Sequence, residues 1–157
     1  MSLGNRIYVR KKYIDIYREL RTDKLSSPQI FTENKDLFTL CCTLGFRSGN
    51  RNKLKNAEML LWSGTLDDHQ EAVLKVIAVK SSEDRNLNIL DDIDKVYKIA
   101  EQYADYGMEI LIEEIFKPYI KEQESGALTI VYNEKAELLK TIIHYVDSLK
   151  EDSSPFA

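Results

Sequence analysis

Between Leu90 and Ala104, apolar side chains recur at Leu90, Ile93, Val96, Tyr97, Ala100, Tyr103 and Ala104. That three-and-four spacing marks one face of an α-helix, and a strand does not produce it. A stripe this long must be buried against other elements, and the remaining pattern makes most of those helices. The rest of the sequence supplies partners. Ile7, Ile14, Tyr17 and Leu20 predict a first helix over Arg6 to Leu20, broken by Ser26-Ser27-Pro28. Leu37, Phe38, Leu40, Cys41 and Leu44 predict a buried second helix from Asn34 to Leu44, with Gly45 as its C-terminal glycine. Phe46 to Asn56 reads as a polar, basic loop, and Ala57 to Trp62 as a short strand or a helical turn.

Asp67-Asp68 followed by Glu71 resembles an N-terminal capping arrangement for a third helix reaching about Ser81. Asn86 and Asn88 are candidate caps for the fourth helix, in which Gly107 marks a break or kink. Its stripe continues through Ile110, Leu111, Ile115 and Phe116 until Pro118 stops it. Leu128 to Tyr132, rich in β-branched residues, predicts a strand, and Asn133 a cap for the last helix. Residues 151–157 read as a frayed tail, and Met1-Ser2-Leu3 as a cloning remnant. The expected fold is mainly α: a compact orthogonal domain of five or six helices with at most two short strands. With 157 residues and no repeat or boundary signal, a single domain over 1–157 is expected.

Charge is distributed unevenly. Residues 1–60 carry twelve Lys/Arg against six Asp/Glu, a net of +6, whereas the remaining 97 carry ten against twenty, a net of −10; the total of −4 conceals this. Such a split points either to an anionic partner at the basic end or to pairing of the two parts inside one fold.

Several classes are excluded or disfavoured. No apolar run approaches the ~20 residues of a membrane-spanning helix, and no signal peptide is visible. The adjacent Cys41-Cys42, within an apolar run, read as buried free thiols, in keeping with a cytoplasmic location. His69 and His144 lie far from them and from each other, so no zinc site, and indeed no metal or other cofactor, is expected. Neither a phosphate-binding glycine loop nor a G-x-S-x-G frame occurs. Asp67-Asp68, Asp91-Asp92-Asp94 and Glu113-Glu114 could hold magnesium in a nuclease, but Asp91, Asp92 and Asp94 sit where carboxylates favour a helix N-terminus.

The basic loop carries the most specific signal. Arg47, Arg51, Lys53 and Lys55 occur within nine residues, interleaved with Ser48, Asn50, Asn52 and Asn56. Cations supply the field for a phosphate backbone, and the polar side chains supply donors. A second cluster, Arg10, Lys11 and Lys12, would share the contact if it lies on the same face. No recognition-helix or zinc-finger pattern supports base reading.

Further residues carry a resemblance. Lys35-Asp36-Leu37-Phe38 leads through Leu40 to Leu44-Gly45-Phe46, then Gly49, Arg51 and Leu54, with Tyr8-Val9-Arg10-Lys11-Lys12-Tyr13 upstream and Trp62 after the loop. Ile99-Ala100-Glu101-Gln102-Tyr103-Ala104 runs on to Gly107, Leu111 and Glu114. Over roughly residues 8–116 this is similar to the small prokaryotic proteins that accompany DNA phosphorothioation (dnd) systems. The resemblance implies a setting, the modification and restriction of DNA with sulfur in its backbone. It brings no catalytic set. The expectation is a non-enzymatic accessory protein of a DNA-modification and defence system, touching DNA phosphates or a DNA-bound partner. A protein-interaction or self-association module using the acidic helices is the alternative, and a metal-dependent nuclease ranks third.

Overall fold

The computed structural model describes residues 4–21, 33–131 and 135–152. Its elements run β1 (Arg6–Arg10), α1 (Ile14–Leu20), α2 (Asn34–Ser48), β2 (Ala57–Trp62), α3 (Asp68–Ser81), α4 (Ile93–Leu111), β3 (Ile120–Glu122), β4 (Leu128–Ile130) and α5 (Lys135–Asp152). The mainly α expectation holds, with five α-helices and two small antiparallel sheets among the described residues. Four short strands therefore stand where at most two were expected.

The first departure is at the N-terminal end. Only Ile14, Tyr17 and Leu20 belong to a helix; Ile7 and Val9 are buried at strand spacing, with Arg6, Tyr8 and Arg10 on the other side. A 3-10 turn at Lys11–Tyr13 joins the two elements. β1 pairs with β2, settling Ala57–Trp62 as a strand, and the register shifts between Ile7 and Tyr8. At that shift the Tyr8 N–H donates to the Glu101 carboxylate of α4, 2.8 Å away. The Arg6 guanidinium lies 5.3 Å from the ring of Trp62, its cross-strand neighbour.

The centre of the molecule is the α2–α4 pair, and two glycines set its spacing. A Cβ on Gly45 would collide with the Tyr103 carbonyl of α4, and one on Gly107 with the Cys41 carbonyl of α2. Each helix thus gives up a side chain where the other's backbone passes. This corrects both glycine expectations: α2 continues past Gly45 to Ser48, and Gly107 lies inside an unbroken α4. Gly49 takes the C-terminal role instead, with φ at 80°. Leu37, Phe38, Cys41, Val96, Ala104 and Met108 pack around the crossing, joined by Tyr17, Leu74, Phe116 and Leu138. Cys41 and Cys42 are buried and free, and burial pushes the Cys41 thiol up to about 12.

Helix starts follow local chemistry. The Asp67 carboxylate accepts the Gln70 N–H at 2.7 Å and the Gln70 side chain accepts the Asp67 N–H at 3.1 Å, so the box falls one residue before the Asp68/Glu71 frame. Asp92 caps α4 by accepting the Lys95 N–H, while Asn86 caps the preceding 3-10 turn through Asn88. Leu90 therefore falls outside the helix its spacing suggested. After Leu111 the helix widens into a π turn, Ile112–Phe116, before the turn containing Pro118. The predicted strand shortens to β4, which pairs with β3. Ser26-Ser27-Pro28, Tyr132 and Asn133 lie outside the described residues. Glu151 and Asp152 belong to α5; residues 153–157 of the expected frayed tail are likewise outside.

Candidate nucleic-acid interface

The basic loop is the irregular stretch from Asn50 to Asn56, and α4 holds it down. Asn52 is the central fastening. Its N–H donates to the Gln102 carbonyl at 3.1 Å, and its side-chain amide donates to Asp105 and to Glu109, each at 3.1 Å. Asparagine suits this post because its side-chain amide carries two N–H donors, one for each carboxylate. At the far end Asn56 adopts φ 50°, a conformation that asparagine tolerates, and its carbonyl accepts the Lys11 N–H at 2.8 Å.

Beneath the loop lies an ion pair. Arg10 donates through Nε at 3.0 Å and Nη2 at 2.7 Å to Asp105, whose side chain is 0% exposed. The same Nη2 reaches the Lys53 carbonyl at 3.5 Å. The hydrogen bond to Asp105 raises the Arg10 pKa further above its ordinary value, more than burial lowers it. One turn earlier on α4, Glu101 is buried beside the β1 register shift. Burial pushes its carboxyl up to about 7, although the Tyr8 N–H pulls the other way.

The cations named by the sequence divide into two groups. Arg10 is half-buried and tied to Asp105. Arg47, Arg51, Lys53, Lys55, Lys11 and Lys12 are exposed, and none forms a salt bridge with a described residue. Arg47 belongs to the last turn of α2 and not to the loop, because the helix runs on past Gly45. The Arg51 guanidinium lies 5.5 Å from the Tyr103 ring, which in turn meets Phe46 edge-on at 5.5 Å. Arg51 also lines an open cleft of about 520 Å³ with Ser82, Asn86, Asn88, Asp92 and Lys95. The two basic segments meet: Lys11 follows directly on Arg10, and the Lys11–Asn56 bond joins the end of β1 to the end of the loop.

Asp105 went unremarked in the sequence, Glu101 and Tyr103 stood there only in the helix pattern, and Asn52, expected as a phosphate donor, instead turns its amide inward to Asp105 and Glu109. A signal for the acids was present, since Tyr97, Glu101, Asp105 and Met108 share a helix face with the stripe. A carboxylate set among core positions implies a buried partner. The other acids are ordinary. Asp67 and Asp92 are caps, Asp94 accepts from the Asn5 side chain, and Glu113 and Glu114 are exposed. His69 and His144 are exposed. Among the described residues no three His, Cys, Asp or Glu side chains are grouped to hold a metal, and no helix is long and apolar enough to cross a membrane.

Comparison with known families places the chain. Residues 6–143 match the family described as DNA sulphur modification system-associated protein 4, and the chain belongs to that family. No curated protein and no solved structure matches it.

Proposed function

We propose that this member of a family associated with a DNA sulphur modification system is a non-enzymatic accessory protein that contacts DNA phosphates, or a partner already on DNA, through its basic loop. The observation that carries the reading is the set of six exposed cations that form no salt bridge with a described residue, strung from the end of α2 through the loop to the Lys11–Lys12 turn in a chain of net charge −4. Arg47, Arg51, Lys53, Lys55, Lys11 and Lys12 would face the anion. Arg10, committed to Asp105, would position the loop. Of the acids that the rival docking reading would use, Glu101 and Asp105 turn inward, whereas Glu113 and Glu114 are exposed.

The contact is electrostatic and loosens with salt. Neutralising about four to six phosphates gives a slope of about −4 to −5 for log K against log salt. Fluorescence anisotropy with duplex DNA at low salt tests this, with Arg51→Ala/Lys53→Ala as the variant. Affinity no higher than that of a charge-matched control protein, or no loss in the variant, refutes it.

A further inference from the structure

The first basic cluster does more than extend the loop. Lys11 and Lys12, Asn56, and the turn between β3 and β4 line an open cavity of about 510 Å³. Three segments distant in sequence build it. The Lys11–Asn56 bond joins the first two at 2.8 Å. The third is a tight turn in which Gln123 donates to the Ala127 carbonyl at 2.8 Å and Gly126, with φ 87°, donates to the Gln123 carbonyl at 2.9 Å.

The chemistry of the lining is one-sided. Both charged residues are lysines, and no carboxylate lines the cavity, although Glu122 and Glu124 belong to the same hairpin and Glu58 follows the next residue of β2. The Ser125 hydroxyl oxygen accepts the Ala127 N–H at 3.4 Å, so its proton remains to donate. The Lys12 ammonium rests 5.1 Å from the Tyr13 ring, which restricts its stem while leaving the charge at the surface. Two point-charge donors beside a hydroxyl and a side-chain amide suit a tetrahedral oxyanion, which does not need the planar fork of an arginine. The cavity is open, so an oxyanion that continues into a chain on either side fits it as well as a free one.

We propose that the Lys11–Lys12 turn, Asn56 and the Ser125–Ala127 turn form a pocket for one phosphate group. With the DNA reading above, on which its source rests, that group is a backbone phosphate and the pocket fixes where the strand leaves the loop. Nothing in the sequence pattern joined the β3–β4 turn to the basic segments.

Amide-resolved NMR titration with inorganic phosphate, against sodium chloride at matched ionic strength, tests the pocket. Saturable shifts are expected at Lys12, Asn56, Ser125, Gly126 and Ala127. They should vanish in Lys11→Gln/Lys12→Gln and in Ser125→Asp, substitutions at surface positions whose backbone bonds are kept. In the duplex DNA arm both variants should weaken binding, and Lys11→Gln/Lys12→Gln should lower the salt slope by about 1 for each cation removed. Absence of a saturable phosphate shift overturns the pocket whatever DNA does. Saturable shifts with no duplex binding keep the pocket, assign it free phosphate, and refute direct contact with DNA. Duplex binding that depends on Arg51 and Lys53 but not on Ser125→Asp, without phosphate shifts, leaves the DNA reading and removes the pocket.

Discussion

Replacing Asp105 by asparagine tests how the loop is held. Four donor contacts converge on this carboxylate: Arg10 Nε at 3.0 and 3.3 Å, Arg10 Nη2 at 2.7 Å and Asn52 Nδ2 at 3.1 Å. Asparagine keeps one acceptor and turns a donor toward the others. Removing one member of a buried pair costs about 3–5 kcal/mol, because the remaining charge loses its partner. The Arg10 side chain is 21% exposed, so water relieves part of that charge and the lower end, about 3 kcal/mol, is expected. For a chain of this size that is a fall in Tm of about 6–12 °C. The Asn52 amide should exchange faster as its anchor is lost. A cycle with Arg10→Met and Asp105→Leu isolates the pair. The double variant should lose at least about 1 kcal/mol less than the summed singles, since no charge is then stranded. Thermal unfolding followed by circular dichroism measures all five proteins. Asp105→Asn within about 1 kcal/mol of the parent, or an additive cycle, would refute the reasoning.

Glu101 sets a pH dependence of opposite sign to the usual carboxylate. Its folded value, about 7, lies above the ordinary 4.5, so the folded chain binds the extra proton and stability falls as pH rises between those values, then stays flat. Glu101→Gln keeps an acceptor for the Tyr8 N–H and removes that fall, so urea midpoints at about pH 5 and about pH 8 should converge and the variant should exceed the parent at the higher pH. Gly107→Ala should destabilise by about 2–3 kcal/mol despite alanine's helix preference, because its Cβ meets the Cys41 carbonyl; Gly49→Ala, with open space but φ at 80°, should cost about 1–2 kcal/mol. Urea unfolding that ranks Gly49→Ala as the more harmful variant refutes the close-crossing argument.

These residues also show what a sequence can carry. α2, α3 and α4 were legible because each lays enough apolar side chains along one stripe for period 3.6 to stand out. β1 was not: five residues offer only Ile7 and Val9, and Ile7 also fits the helical spacing of Ile14 and Tyr17. Gly45 and Gly107 misled for a different reason. A glycine required by a neighbouring backbone is locally indistinguishable from one required by a helix end, and the neighbour lies some sixty residues away. The cations were legible as residue types, since charge and spacing are written in the chain. Their separation into an anchored Arg10 and an exposed remainder depends on Asp105, across 95 positions.

That separation bears on the charge split itself. Pairing within the fold and contact with an outside anion are two explanations of a basic first part and an acidic remainder. The loop makes them complementary. A seven-residue stretch without regular structure that carries Arg51, Lys53 and Lys55 repels itself and loses entropy when ordered. Asp105 and Glu109 lie beneath it and, through Asn52 and Arg10, supply the bonds that offset both costs. The internal pairing uses one cation and one amide, and leaves the other charges of the loop facing outward. An acidic helix under a basic loop is therefore what allows the cations to be held together in the absence of an anion, and the strength of that foundation, measured at Asp105, sets how much of the loop's order an outside anion would have to supply.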